Sequence, residues 1–103
     1  MKFMDLHVHS NISFDGKNSY MEIAAAAVKQ GLETVAITDH CDFYQTPSGY
    51  KQYLERYASS LTQLAIMQGV YDKSVSILRG IEIGNPQTMP DLTNEILSTY
   101  QYD

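Results

Sequence analysis

Cysteine is almost missing from this sequence. Cys41 stands alone, which excludes an internal disulfide and fits a reducing compartment. Basic residues are also scarce: seven Lys and Arg against twelve Asp and Glu give a net charge of −5. They do not cluster, so binding of nucleic acid through a basic face is not expected. No apolar run approaches the ~20 residues that span a bilayer, and Met1-Lys2-Phe3-Met4 meets Asp5 without a basic-then-apolar leader. A cytoplasmic location with no membrane partner is therefore expected. No linker, low-complexity segment or internal sequence repeat stands out. With 44% apolar residues in 103, residues 1–103 read as one small globular domain burying roughly 60–70% of its unfolded surface. Any concentrated positive charge at an active site has to come from a metal.

What is present begins with Met4-Asp5-Leu6-His7-Val8-His9-Ser10. Side chains alternate along a strand, so Asp5, His7 and His9 are expected on one face and Met4, Leu6 and Val8 on the other. Same-face neighbours lie roughly 6.5–7 Å apart along a strand, which suits one ion only if the strand end curls around it. The loop 11–18 carries the turn signal Asp15-Gly16. Ser19 and Glu22 form a capping box for a helix through Gln30, stopped by Gly31. A second strand follows at Glu33–Thr38, with Val35 and Ile37 on one face and Ala36, Thr38 and His40 on the other. Its Val35-Ala36-Ile37 run suits a parallel strand covered on both faces.

After a loop at 41–49, the spacing of Tyr50, Tyr53, Leu54, Tyr57, Leu61, Leu64 and Ala65 predicts an amphipathic helix over 50–68, ended by Gly69. A third strand at 74–81, a loop at 84–90 and a helix at 91–99 bearing Leu92, Glu95 and Ile96 complete the pattern. The tail, Tyr100-Gln101-Tyr102-Asp103, has the look of another strand beginning. Three rounds of strand, loop and helix argue for an α/β fold with parallel strands joined by right-handed crossovers.

Each strand then delivers candidate ligands at its C-terminal end: His7 and His9, then His40, then Glu82. In parallel α/β folds that is the side where sites form. Three imidazoles with carboxylates suit zinc, manganese or iron better than magnesium. Each residue also has a plainer reading: Asp15 as a turn former, Glu82 as a solvated strand end, His40 as a satisfied histidine. By parity Asp39 points away from His40 and acts at one remove. Cys41 reads as a soft ligand or a small hydrophobe. Arg79 falls in the helix-packing layer, with no role assigned.

Taken together, Asp5-Leu6-His7-Val8-His9-Ser10, Ile37-Thr38-Asp39-His40 and Gly80-Ile81-Glu82-Ile83 resemble the first three motifs of the PHP family, named for polymerase and histidinol phosphatase. Asp15-Gly16 and Gly31-Leu32 look most like its histidinol-phosphatase branch. The resemblance implies the first three units of a distorted (β/α)7 TIM-like barrel, with two or three divalent metal ions (zinc, manganese or iron) in the intact site. It implies that His7, His9, Asp15 and His40 hold metal and that Glu82 bridges ions. His40 and Glu82 would also be catalytic.

The activity implied is hydrolysis of a small organic phosphate monoester by a metal-activated hydroxide. The family's later strands supply further ligands, so these 103 residues are expected to have little turnover alone. Two alternatives stand beside this: a metal-binding module that self-associates through open sheet edges, and a polymerase-associated domain acting on nucleic-acid ends.

Overall fold

A computed structural model describes residues 2–41 and 47–103, with backbone alone over 47–54. Strand β1 (Phe3–Val8), helix α1 (Tyr20–Lys29), strand β2 (Leu32–Ile37), helix α2 (Pro47–Val70), strand β3 (Ser76–Arg79) and helix α3 (Pro90–Thr99) follow in that order. The three strands form one sheet in the order β1-β2-β3, and both pairings are parallel.

Local chemistry explains the first helix. Ser19 Oγ accepts from the Glu22 amide at 3.2 Å while the Glu22 carboxylate accepts from the Ser19 amide at 3.1 Å. Such a cap contributes about 1 kcal/mol. At the far end Gly31 takes φ +72, a left-handed turn that glycine enters without a Cβ penalty.

The other elements differ from expectation in their limits. Helix α2 starts at Pro47, whose ring is tolerated in a first turn, and it runs through Gly69 to Val70 instead of stopping there. Its buried stripe is Tyr57, Ser60 and Leu64, continued by the partly buried Met67, while Ala65 is exposed. The side chains of Tyr50, Tyr53 and Leu54 lie outside the described residues, as does 42–46 of the preceding loop. Strand β3 is shorter than 74–81 because the Ser74 and Val75 amides turn back to the Tyr71 carbonyl. The 84–90 loop contains a 3-10 turn at Pro86–Thr88.

The main core lies between the sheet and the first two helices. It joins Tyr20, Ile23, Ala24 and Ala27 to Val35, Ile37, Leu64, Val75 and Ile77. A second cluster packs Ile96 of α3 on Cys41, with Ile81, Ile83, Leu92, Tyr100 and Tyr102 around it. Cys41 is thus an apolar packing residue. The opposite sheet face is open: Leu6, Leu78 and Leu97 border an apolar depression there, and Leu6 is 54% exposed. Coverage of both faces is therefore not seen among the described residues. The tail runs beside β3, where the Asp103 amide donates to the Arg79 carbonyl at 2.8 Å and its carboxylate accepts from the Arg79 amide at 2.7 Å. Arg79 itself reaches Gln68 of α2.

Strict alternation along β1 does not hold. Asp5 pairs with Val35 and Val8 with Ile37, so three residues of β1 advance against two of β2. This irregularity over Leu6 and His7 turns Val8 onto the core beside Ile37, whereas Leu6 keeps the open face with Ala36 and Thr38. An extra residue in one strand bends it and re-aims the side chains that follow. Here those side chains are histidines.

Candidate metal centre

The bent end of β1 brings its histidines over the ends of the other two strands. His40 and Glu82 form an isolated parallel bridge just beyond β2 and β3, fixed by Glu82 N to Asp39 O at 3.0 Å and Cys41 N to Glu82 O at 2.7 Å. His7 Nε2 and His9 Nε2 then stand 3.1 Å apart. The Glu82 carboxylate, at Oε2, lies 3.1 Å from the first and 2.6 Å from the second.

A second group shares His9. Asp15 approaches His9 Nδ1 with both carboxylate oxygens, at 2.9 and 3.0 Å, and its Oδ2 lies 3.1 Å from His40 Nε2. Within each trio, His7-His9-Glu82 and His9-Asp15-His40, one ligand atom per residue lies within 4.8 Å of the others. All five residues proposed from the sequence meet here. Asp5 does not join them; its carboxylate accepts from the His7 amide at 3.2 Å.

The donor set suits a divalent ion. In a tetrahedral shell with bonds of about 2.0–2.1 Å, neighbouring ligand atoms are roughly 3.3–3.4 Å apart. Two spacings in the first trio, both 3.1 Å, are close to that, while His9 and Glu82 stand closer, at 2.6 Å. Imidazole with carboxylate is the ligand chemistry of zinc, manganese and iron. A neutral imidazole has one lone pair, so His9 ligates through one nitrogen and donates N–H from the other. Glu82 on one side and Asp15 on the other provide for both roles.

Electrostatics tie the groups together. Desolvation lowers the His9 pKa, but hydrogen bonds and charge from Asp15 and Glu82 outweigh it and raise the value above the ordinary 6.5. For Asp15, desolvation pushes upward, yet the bonds to His9 and His40 prevail and hold its carboxyl below the ordinary 3.8.

Below the ligands lies a buried polar layer: Asp39 acts at one remove, as expected, but its serine partners were not foreseen. Asp39, 2% exposed, accepts from the Ser10 amide at 2.5 Å, Ser10 Oγ at 2.6 Å and Ser13 Oγ at 2.8 Å. Ser13 Oγ in turn accepts from the His40 amide at 2.8 Å. Both serines are buried. The clue in the sequence was Asp39 itself: a carboxylate on the core-facing side of a strand demands hydroxyl or amide partners, and the adjoining loop supplies serines. Phe14 was also not anticipated. Its ring is 72% exposed and stacks on His40 at 4.8 Å.

Residues 5–103 match the model of the PHP domain. This chain belongs to the PHP domain family. It is 26% identical over 103 residues to the histidinol-phosphatase of Lactococcus lactis, covering 100% of this chain and 37% of that protein. It is 33% identical over 89 residues to the DNA polymerase/3'-5' exonuclease PolX of Bacillus subtilis, covering 86% of this chain and 14% of that one.

The crystal structure of histidinol phosphate phosphatase from L. lactis, complexed with zinc, L-histidinol and phosphate, superposes with a TM-score of 0.73 at 25% identity. The match covers 96% of this chain and 36% of that one. This PHP chain therefore spans little more than a third of its histidinol-phosphatase relative. No helix among its described residues is long and apolar enough to cross a membrane.

Proposed function

We propose that this PHP chain carries the first ligands of a metal-dependent phosphoesterase of the histidinol-phosphatase type, cleaving a small organic phosphate monoester. The observation that carries the reading is the meeting of three histidines and two carboxylates from three separate strand ends in two overlapping trios. Its support outside the chain is the relative whose structure holds zinc, histidinol and phosphate.

In this reading His7, His9, Asp15 and His40 hold divalent ions. Glu82, within reach of His7 and His9 and 3.7 Å from His40 Nε2, would bridge the two groups and, with His40, face the reacting phosphate. Such ions supply Lewis acidity and a nucleophile at neutral pH. The residues of the chain keep His9 in the tautomer that ligates, gather the ligand atoms and neutralise part of the charge around them. Zinc is the first metal to test, with manganese and iron suited to the same donors.

The site would lie in an incomplete share of a (β/α)7 barrel forming one domain, in a cytoplasmic protein. Because the chain matches about a third of the histidinol-phosphatase, we propose that these 103 residues alone turn over little substrate.

A second reading, a PHP domain attached to a polymerase and acting on nucleic-acid ends, is favoured by the identity to PolX. The net charge of −5 weighs against it, since phosphate backbones are held mainly by Lys and Arg. A third, self-association, follows from the place of β1 at the edge of the sheet, since an edge strand invites pairing with another chain.

The deciding experiment measures metal in the chain purified without chelator or histidine tag, beside the His7→Ala, His9→Ala double variant. About one or more transition-metal ions per chain, lost in the variant, supports the reading. A folded chain without metal overturns it. Phosphate release from histidinol phosphate, compared with release from single-stranded DNA ends, separates the first two substrates, and a monomeric hydrodynamic size excludes self-association.

A further inference from the structure

We propose that Ser13 is a positioning residue for the metal centre: its buried hydroxyl, fixed by Asp39, holds His40 in place against Asp15. The inference rests on the metal-centre reading and deepens it. Ser13 is 2% exposed and sits in the loop that connects His9 to Asp15. Its hydroxyl has two partners with opposite demands. It donates to Asp39 Oδ1 at 2.8 Å and accepts from the His40 amide at 2.8 Å. A carboxylate can only accept and an amide N–H can only donate, so the direction of both bonds is fixed.

This hydroxyl joins three parts of the site. Asp39 lies at the end of β2 and precedes His40. Ser10, which follows His9, gives Asp39 two further bonds through its amide and its Oγ. Asp15 comes two residues after Ser13 and meets both His9 and His40. Among the described residues, Ser13 is the side chain that touches both the Asp39 carboxylate and the His40 backbone.

Removing its oxygen takes away the bond that holds the part-buried His40 amide to this loop and one of the three donors to the buried Asp39 carboxylate. Buried polar groups do not tolerate that cheaply, and the segment resolves it by shifting. A shift at His40 separates Nε2 from Asp15, and partners one step behind metal ligands typically matter 10–100-fold in metal affinity.

The experiment is a competitive zinc titration and a cobalt absorption spectrum of the whole chain and of its Ser13→Ala, Ser13→Thr and Ser60→Ala variants, with circular dichroism of each. Ser60 is the matched control. It is 3% exposed, its hydroxyl donates to the Tyr57 carbonyl within α2 at 2.6 Å, and it reaches the Asp39 cluster at second hand, through Tyr20 and Ser10, without touching Asp39 or His40 in any described contact. The expected result is a loss of about 10–100-fold in affinity and an altered cobalt spectrum for Ser13→Ala. Ser13→Thr, which keeps the hydroxyl, restores most of the affinity, and Ser60→Ala binds as the unaltered chain does.

Should Ser13→Ala fail to fold, Ser13→Gly, which also lacks the hydroxyl and brings no metal-binding atom, carries the same expectation of weakened binding. Unchanged affinity and spectrum in a folded Ser13 variant lacking the hydroxyl overturns the inference while leaving the metal centre standing. So does an equal loss in Ser60→Ala. If the unaltered chain binds no zinc, the metal-centre reading itself falls, and this inference with it.

Discussion

His9 Nε2 stands 2.6 Å from Glu82 Oε2 although 73 residues separate them along the chain. The contact depends on the bend in β1 and on the bridge between His40 and Glu82, so it reports on the assembled site. Glu82→Gln keeps the size of the side chain and removes its charge. His9 then loses one of the two carboxylates that raise its pKa, and metal loses an anionic ligand. We expect a lower His9 pKa by NMR titration and metal affinity weaker by about tenfold or more, or ~1.4 kcal/mol per tenfold. An unchanged His9 titration would mean that the contact does not form in solution.

The same groups set a pH dependence with a definite sign. In the metal-free chain His9 has a raised pKa, so its share of stability is fully present below the unfolded value near 6.5 and is lost as pH rises through the folded pKa. Asp15 has a lowered pKa, so its share is present above the unfolded value near 3.8 and is lost as pH falls through the folded one. Together they favour the fold most between about pH 4 and 6.5. Asp15→Asn should flatten that feature in urea titrations across pH. Metal binding runs the other way, because imidazole must be neutral to ligate. Zinc should therefore stabilise the chain increasingly as pH climbs through the His9 pKa.

The three strands, the three helices and four of the candidate ligands, His7, His9, His40 and Glu82, were legible because each rests on a local rule: the capping box at Ser19, the apolar run at Val35-Ala36-Ile37, the placement of polar groups at strand ends. Asp15, by local rule a turn former, came in only through the family resemblance. What was not legible depends on two strands at once. Nothing within Asp5 to Val8 reveals that it will advance three residues against two of β2, and alternation alone put Val8 on the wrong face. The role of Asp39 was half visible, in that its parity excluded it from the ligand face. Its partners Ser10 and Ser13 were not, since they lie on a loop whose path the sequence leaves open. Gly69 misled for a simpler reason: a helix passes through glycine when packing on either side outweighs a cost of ~1 kcal/mol.

Ile96 tests the second core cluster. It is 1% exposed and packs with Cys41, next to His40. Ile96→Ala should destabilise the chain by about 2–5 kcal/mol, the range for emptied core sites. Because Tyr102 belongs to the same cluster, its hydroxyl, pushed by burial up to about 12, should titrate nearer to an ordinary tyrosine in the variant. A denaturation midpoint equal to that of the unaltered chain would place α3 outside the cooperative fold.

Gly16 and Gly69 make opposite predictions from one substitution. A Cβ on Gly16 would fall 1.9 Å from the Ser10 carbonyl oxygen and 2.6 Å from its carbon, both backbone atoms that no side-chain rotation can clear. The loop 11–18 is closed by the bond from Asn11 N to Asn18 O, so the strain cannot be relieved without drawing Asp15 away from His9. Gly16→Ala should cost about 1–3 kcal/mol, as overpacking does, and weaken metal binding on the Asp15 side. Gly69 meets nothing within 4 Å and lies inside α2. There alanine restricts the unfolded chain without a clash, and Gly69→Ala should stabilise by about 0.4–1 kcal/mol with metal affinity unchanged. Denaturant midpoints and zinc affinity measured side by side decide both. If Gly16→Ala binds zinc as tightly as the unaltered chain, the close folding of the loop over Ser10 is not what brings Asp15 to the histidines.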